Sequence, residues 1–141
     1  RDVLGSRGLG DVYKRQPVDY RNPSGGRAVP VIHTHGTADN VVYYNGDANH
    51  PDGGYGSIPD YVKKWAAFDG CNMTPEVIKP YPSDKPNSVA DYTRYTGGKD
   101  GVEVVLISIE GKGHWHSNDP ASVMTTEEIW NFCKRYSLGE K

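Results

Sequence analysis

Two short apolar runs, each leading directly into a glycine-containing turn, constrain the fold of this chain more than any other feature. Residues 28–35 (AVPVIHTH) and 102–109 (VEVVLISI) are rich in β-branched and aliphatic side chains, a composition typical of buried strands. The first run is followed by a turn at 36–40 and the second by a loop at 111–120. Functional groups in open α/β sheets gather in loops at the carboxyl ends of strands. Both loops are therefore candidates for a functional site.

Two amphipathic helices are predicted from capping signals and apolar spacing. The first follows Ser57, a favourable N-cap residue with Asp60 three positions later, and ends at Gly70, a typical C-terminal glycine. The last helix is predicted to open with a capping box formed by Thr125 and Glu128. Each predicted helix has one apolar face, as a helix that packs on a sheet requires.

The aromatic side chains of these helices are predicted to be buried. Trp65, Phe68 and Trp130 all fall within the two helical segments, and large aromatic side chains at such positions usually contribute to a core. We therefore expect all three to pack against the sheet.

The order of elements predicts the fold class. A third strand is expected at residues 89–96, with an exposed, alternating pattern, and a turn at 97–101 separates it from the run at 102–109. Strands that alternate with amphipathic helices indicate an α/β fold with a parallel sheet and flanking helices. With 141 residues and 35% apolar residues, the chain is short for a complete domain of this kind, and we expect it to be truncated.

The first sixteen residues do not fit the rest of the chain. Residues 1–16 (RDVLGSRGLGDVYKRQ) follow neither helical nor strand periodicity, and the composition changes at Pro17. The segment resembles translated sequencing-library adapter, so we expect it to be non-native and exclude it from the fold. A native disordered terminus is the alternative interpretation.

Charge and hydropathy argue against two classes of partner. The net charge of −2 offers no broad attraction for nucleic acid or for an anionic membrane. No apolar run approaches the roughly 20 residues that a membrane span needs. Cys71 and Cys133 are not closely spaced in sequence, as pairs of metal-binding cysteines are, and we interpret them as two ordinary thiols.

Asp39 and His114 carry the strongest chemical signal. Each follows one of the two predicted buried strands, and an acid before a histidine is the chain order of α/β-hydrolases, in which serine comes first. In such a triad the histidine moves the proton of the nucleophile, and the carboxylate fixes the ring tautomer. No Gly-x-Ser-x-Gly elbow occurs, and Ser24 is rejected because a proline-rich loop precedes it and a strand follows it.

Four further segments carry a family pattern: PVIHTHGTADNVVYYN at 30–45, WAAFDGC at 65–71, EGKGH at 110–114 and the closing helix at 125–138. Together they resemble the polyhydroxybutyrate depolymerase and feruloyl esterase family, which overlaps family 1 of the carbohydrate esterases. The resemblance covers roughly residues 28–138 and implies that residues 17–141 are the C-terminal portion of one α/β-hydrolase domain. It also implies that Asp39 is the triad acid and His114 the triad base.

The resemblance implies a serine esterase that needs no cofactor and acts on a small-molecule or polysaccharide-linked ester, with the parent protein secreted or periplasmic. Trp115, beside the expected base, is a candidate contact for an aromatic or sugar group of that substrate. The chain departs from the family at Tyr43, where many members have proline, and at 115–117, where Trp-His-Ser replaces Trp-Pro-Gly. Family members often have a second cysteine between the first helix and the final strand, but this chain has none near Tyr95. The resemblance therefore does not supply a disulfide partner for Cys71.

Two other functions remain open from the residues alone. Two His-x-His pairs occur, and such pairs can bind zinc, so a metal-dependent hydrolase is possible. Its ligands would come from His33, His35, Asp39, His114 and His116. A non-catalytic carbohydrate-binding module would account for the many tyrosines and tryptophans on turn-rich segments, but not for the order of the acid and the histidine.

Overall fold

The structure is a computed structural model that describes residues 27–51, 53–114 and 118–136. The predictions made for residues 1–16, Ser24, Trp115 and His116 lie outside the described residues. The described part is a mixed α/β arrangement with one four-stranded sheet and two α-helices. In chain order the elements are β1 (Val31–Gly36), α1 (Ile58–Phe68), β2 (Glu76–Ile78), β3 (Ala90–Tyr95), β4 (Val104–Ile109) and α2 (Thr125–Lys134).

The sheet is mixed: the predicted parallel pairing is found between β1 and β4, but the prediction of a parallel sheet is wrong for β2 and β3. The strand order is β1-β4-β3-β2. β1 and β4 run parallel, with His35 opposite Ser108 and Gly36 opposite Ile109. β3 is antiparallel to both β4 and β2. The short strand β2 was not predicted from the sequence, which is turn-rich there.

The length of the connection explains the antiparallel pairing of β3 with β4. β3 ends at Tyr95 and β4 begins at Val104, and only a short 3₁₀ turn, Lys99–Gly101, lies between them. A parallel crossover needs about a dozen residues or more. The chain can therefore only turn back on itself here, whereas β1 and β4 are far enough apart in sequence to pair in parallel.

Both faces of the sheet are covered, which explains why β4 is apolar at every position except Ser108. Alternate side chains of β1 and β4 point to opposite faces, and each fully buried Val, Leu or Ile contributes about 1.5–3 kcal/mol to stability. The core on the α1 face includes Val31, Val104, Leu106, Val62 and Trp65. The core on the α2 face includes Ile32, Val105, Ile107, Val123 and Phe132.

The first helix begins and ends as predicted. The Ser57 hydroxyl accepts a hydrogen bond from the Asp60 N–H at 3.2 Å, and Gly70 has a positive φ of 76° just beyond the helix. Asp69 caps the C-terminus, since its N–H donates to the Trp65 carbonyl at 2.9 Å. The local sequence signals are sufficient here because every capping contact lies within a few residues.

The last helix differs from its prediction in two ways. Met124 is the N-cap, and Thr125 lies inside the helix with a buried hydroxyl, so the predicted capping box is wrong. The Glu128 carboxylate instead accepts a hydrogen bond from the Tyr81 hydroxyl at 2.8 Å. Trp130 is 64% exposed, so its predicted place in the core is also wrong. Trp130 follows the buried face by one position, and one residue turns a helix by about 100°.

The two cysteines are free thiols, as interpreted from the sequence. Cys71 is buried and Cys133 is half-buried in α2. No helix in the described ranges is long and apolar enough to span a bilayer.

Candidate active site

Two loops meet at the carboxyl edge of the parallel pair β1 and β4. The loop after β1 is held to the end of β4 by the Thr37 N–H, which donates to the Ile109 carbonyl at 3.0 Å. The Ala38 N–H donates to the Lys112 carbonyl at 2.9 Å, and the Gly111 N–H donates to the Thr37 hydroxyl at 2.9 Å. Parallel pairing brings both strand ends to one edge, and these hydrogen bonds then fix the loops against each other.

Gly36 permits this close approach. A Cβ atom built on Gly36 would lie 2.1 Å from the Lys112 carbonyl oxygen and 2.6 Å from the Gly113 carbonyl oxygen. Real side chains do not approach backbone atoms so closely, and displacing backbone costs more than displacing the far end of a flexible side chain. Glycine is therefore required at this position for the second loop to pass over the end of β1.

The carboxylate of Asp39 is buried at this edge and held by backbone donors. Its side chain is 4% exposed. Oδ1 accepts hydrogen bonds from the N–H groups of Val41 at 2.8 Å and Val42 at 2.9 Å. Burial by itself would raise the pKa of the Asp39 carboxyl, but the donors at Val42, His114 and Val41 outweigh it and hold the pKa below its usual range. Asp39 is therefore ionised at neutral pH.

His114 contacts the same carboxylate from the second loop. Its Nδ1 lies 3.0 Å from Oδ2 and 3.2 Å from Oδ1 of Asp39. An ionised carboxylate can only accept hydrogen bonds, so Nδ1 carries the proton. In a neutral ring this tautomer leaves Nε2 as the basic nitrogen. The His114 side chain is 41% exposed, so the ring lies at the surface while its partner is buried.

This geometry is that of an acid–base pair. A buried carboxylate that accepts from Nδ1 fixes the orientation of the imidazole and stabilises its protonated form. The basic Nε2 could then receive a proton from a hydroxyl nucleophile and return it to a leaving group. The structure thus brings together Asp39 and His114, the two residues that the sequence singled out. Trp115 lies outside the described residues, so its predicted substrate contact stays a prediction.

The metal site considered from the sequence is not formed by the described residues. Although His33 and His35 lie on the same face of β1, their rings face each other, with His33 Nε2 3.0 Å from His35 Nδ1. The other nitrogen of His35, Nε2, lies 2.8 Å from the Val42 carbonyl oxygen. Within residues 27–51, 53–114 and 118–136, no group of three or more His, Cys, Asp or Glu side chains could hold a metal ion. His116 lies outside these ranges.

Tyr44 fixes the far end of the first loop. Its hydroxyl lies 2.6 Å from the hydroxyl of Ser108 on β4. Nothing in the sequence indicates Ser108 as the partner of Tyr44. The parallel register, which places Ser108 opposite His35, is what brings this contact to the site.

Known proteins similar to this chain are esterases. The chain is 29% identical over 116 residues to feruloyl esterase B of Piromyces equi, across 79% of this chain and 19% of that protein. It is 26% identical over 115 residues to a bifunctional acetylxylan esterase/xylanase of Neocallimastix patriciarum, across 79% of this chain and 14% of that protein. No protein-family model matches the chain.

The chain spans less than one fifth of the length of either relative. The similarity is weak, but it covers most of this chain and reaches two proteins that are both named for ester hydrolysis. At the level of reaction class, the chain is similar to carboxylic ester hydrolases.

Proposed function

We propose that this chain supplies the acid and the base of a Ser-His-Asp triad in a carboxylic ester hydrolase. The observation that carries the proposal is the pairing of the buried Asp39 carboxylate with Nδ1 of His114 at 3.0 Å. This contact lies at the joined carboxyl ends of two parallel strands, where α/β-hydrolases hold their catalytic groups. The similarity to two esterases supports the same reaction class.

In the proposed reaction, His114 takes a proton from the nucleophile and later gives it to the leaving group. Its Nε2 takes the proton of the serine hydroxyl as the serine oxygen forms a bond to the ester carbonyl carbon. The C–O bond to the alcohol then breaks, and the alcohol leaves with the proton from Nε2. Water repeats the sequence on the acyl-enzyme and releases the acid. Asp39 keeps its negative charge throughout and stabilises the imidazolium.

The nucleophile and the oxyanion hole are proposed to lie outside this chain. The sequence contains no Gly-x-Ser-x-Gly elbow, and the relatives are several times longer. The outer edge of β1 also supports a longer protein, because β1 is the end strand of the sheet and no described strand pairs with that edge. Long apolar edge strands are usually covered in native proteins. The 141-residue chain by itself is therefore expected to hydrolyse no ester.

The proposed substrates are esters of small molecules or of polysaccharides. The names of the two relatives point to feruloyl and acetyl-xylan esters, and the family resemblance adds polyhydroxyalkanoates. Trp115 is proposed to contact the aromatic or sugar part of the substrate. We propose that the parent protein is secreted or periplasmic and uses no cofactor.

The test uses the full-length gene product, which includes the upstream coding sequence. We expect hydrolysis of p-nitrophenyl acetate and release of ferulate or acetate from substituted xylan. Asp39→Ala and His114→Ala should each lower kcat by about 10⁴-fold or more. Asp84→Ala, which removes an exposed carboxylate from a turn, is the matched control and should retain the wild-type rate.

Two further measurements separate the serine mechanism from the metal-dependent alternative. A fluorophosphonate should label one serine in a Gly-x-Ser-x-Gly sequence, and a chelator should leave the rate unchanged. Ester hydrolysis that survives His114→Ala, or that is lost with the chelator, would contradict the proposal.

A further inference from the structure

Two buried histidines behind Asp39 take no part in the proton transfers proposed above. His33 and His35 are only 8% and 9% exposed. They lie at alternate positions on β1, and their rings stack at 5.2 Å between centroids. His35 reaches the site itself, since its Nε2 is 3.3 Å from Oδ2 of Asp39. His114 approaches the same oxygen at 3.0 Å from the other loop.

With both rings neutral, the protons in this pair have one consistent arrangement. A backbone carbonyl can only accept, so His35 Nε2 must donate to the Val42 carbonyl at 2.8 Å. In a neutral ring, His35 Nδ1 is then an acceptor, and His33 Nε2 donates to it at 3.0 Å. Burial, and then the nearby His35 ring, lower the pKa of His33 to about 3, so His33 is neutral. Both histidines therefore carry their proton on Nε2.

Val42 connects this arrangement to Asp39. Its carbonyl accepts from His35, while its N–H donates to Oδ1 of Asp39 at 2.9 Å. The turn that carries the carboxylate is thus tied to β1 through the ring of His35. Displacement of this ring would release the Val42 peptide and, with it, one of the two backbone donors to Asp39.

Burial of the His33 and His35 rings costs more free energy than burial of apolar side chains at the same positions would. Burial of polar rings costs free energy unless each polar atom finds a partner. In the described part of the chain, Nδ1 of His33 is buried without a hydrogen-bond partner. Apolar side chains would fill the same space without this cost. Buried polar groups that lack a hydrogen-bond partner tend to occur at functional sites.

We propose that His35 is a positioning residue for Asp39, and that His33 holds His35 in the tautomer that this role requires. The inference rests on the proposed function, because Asp39 is positioned for the triad. Neither histidine touches the reacting atoms. Their effect should therefore appear in the rate of the chemical step and not in substrate binding.

The first test is kinetic and uses the full-length enzyme with p-nitrophenyl acetate. His35→Leu should lower kcat by roughly 10- to 100-fold, the scale expected when a catalytic group shifts by about 1 Å, with KM unchanged. His35→Gln retains an amide donor for the Val42 carbonyl and should recover most of the lost rate. Phe132→Ala, a buried change in the core on the opposite, α2 face of the sheet, controls for a general loss of stability.

The second test is spectroscopic and does not depend on ester hydrolysis. Long-range ¹H–¹⁵N spectra of the imidazole rings at pH 7 should show both His33 and His35 with the proton on Nε2. In His33→Phe the donor to His35 Nδ1 is absent, and His35 should then populate both neutral tautomers.

The outcomes separate this inference from the proposed function. Activity that survives Asp39→Ala would refute the triad, whatever the histidines do. An inactive Asp39→Ala enzyme, combined with a wild-type kcat in His35→Leu, would refute the positioning role alone. A neutral His35 with its proton on Nδ1 in the wild-type spectrum would also refute it, because Nε2 could not then donate to Val42.

Discussion

Gly36 is the point where a single added methyl group should separate the acid from the base. In Gly36→Ala the new Cβ would lie 2.1 Å from the Lys112 carbonyl oxygen and 2.5 Å from its carbonyl carbon. Ordinary contact requires a separation of about 3.4 Å or more, so the loop that carries His114 must move by about 1 Å. A displacement of this size can lower the rate about 100-fold. The added crowding should also cost about 1–3 kcal/mol in stability.

The assay compares Gly36→Ala with Gly113→Ala in the full-length enzyme. Gly113 lies in the same loop, directly before His114, and a Cβ there would meet nothing within 4 Å. We expect a fall of about 100-fold in kcat for Gly36→Ala and less than about threefold for Gly113→Ala, with thermal unfolding measured on both. A Gly36→Ala enzyme with wild-type kcat and melting temperature would refute the reasoning, because the loop would then tolerate the added atom.

Three further predictions concern stability and can be tested by urea or thermal unfolding. Burial raises the pKa of the Asp69 carboxyl to about 6 from 3.8, so the folded state binds more protons and stability falls as the pH rises from about 4 to 6. Asp69→Asn should therefore stabilise the protein by about 1–3 kcal/mol above pH 7 and give no gain below pH 4. Trp130→Gln should change the free energy of unfolding by less than about 0.5 kcal/mol, because Trp130 is exposed, whereas Phe132→Ala should cost about 3–5 kcal/mol. Tyr44→Phe should cost about 1 kcal/mol through loss of the Ser108 hydrogen bond. Equal losses for Trp130→Gln and Phe132→Ala, a pH-independent effect at Asp69, or an unchanged stability in Tyr44→Phe would contradict these assignments.

The sequence predicted the elements whose signals are local. The apolar runs predicted β1 and β4, and the Ser57 and Gly70 signals predicted α1, because strand alternation, helical spacing and capping involve residues only a few positions apart. Asp39 and His114 each follow a predicted strand, and this order predicted that the two side chains lie close together. Parallel strands bring their carboxyl ends to one edge of the sheet.

The tertiary structure alone decided how these elements combine. The antiparallel pairing of β3 with β4 is the exception, because the short connection before β4 already excludes a parallel crossover. Thr125 and Trp130 were misassigned because their surroundings depend on where α2 docks on the sheet. The hydrogen bond between Tyr44 and Ser108 depends on the register between β1 and β4, which spacing along the chain does not encode.

At the site, the sequence determined the residue types and the structure determined their relations. From the sequence, His33 and His35 were also candidate metal ligands, and the positioning role proposed for them rests on the facing of their rings and on the Val42 carbonyl. From the sequence, Gly36 was predicted only as part of a turn. The need for glycine at this position comes from the loop after β4, which lies more than 70 positions away in sequence. Local preferences select elements from near neighbours, whereas contacts between distant segments arise only when the whole chain has packed.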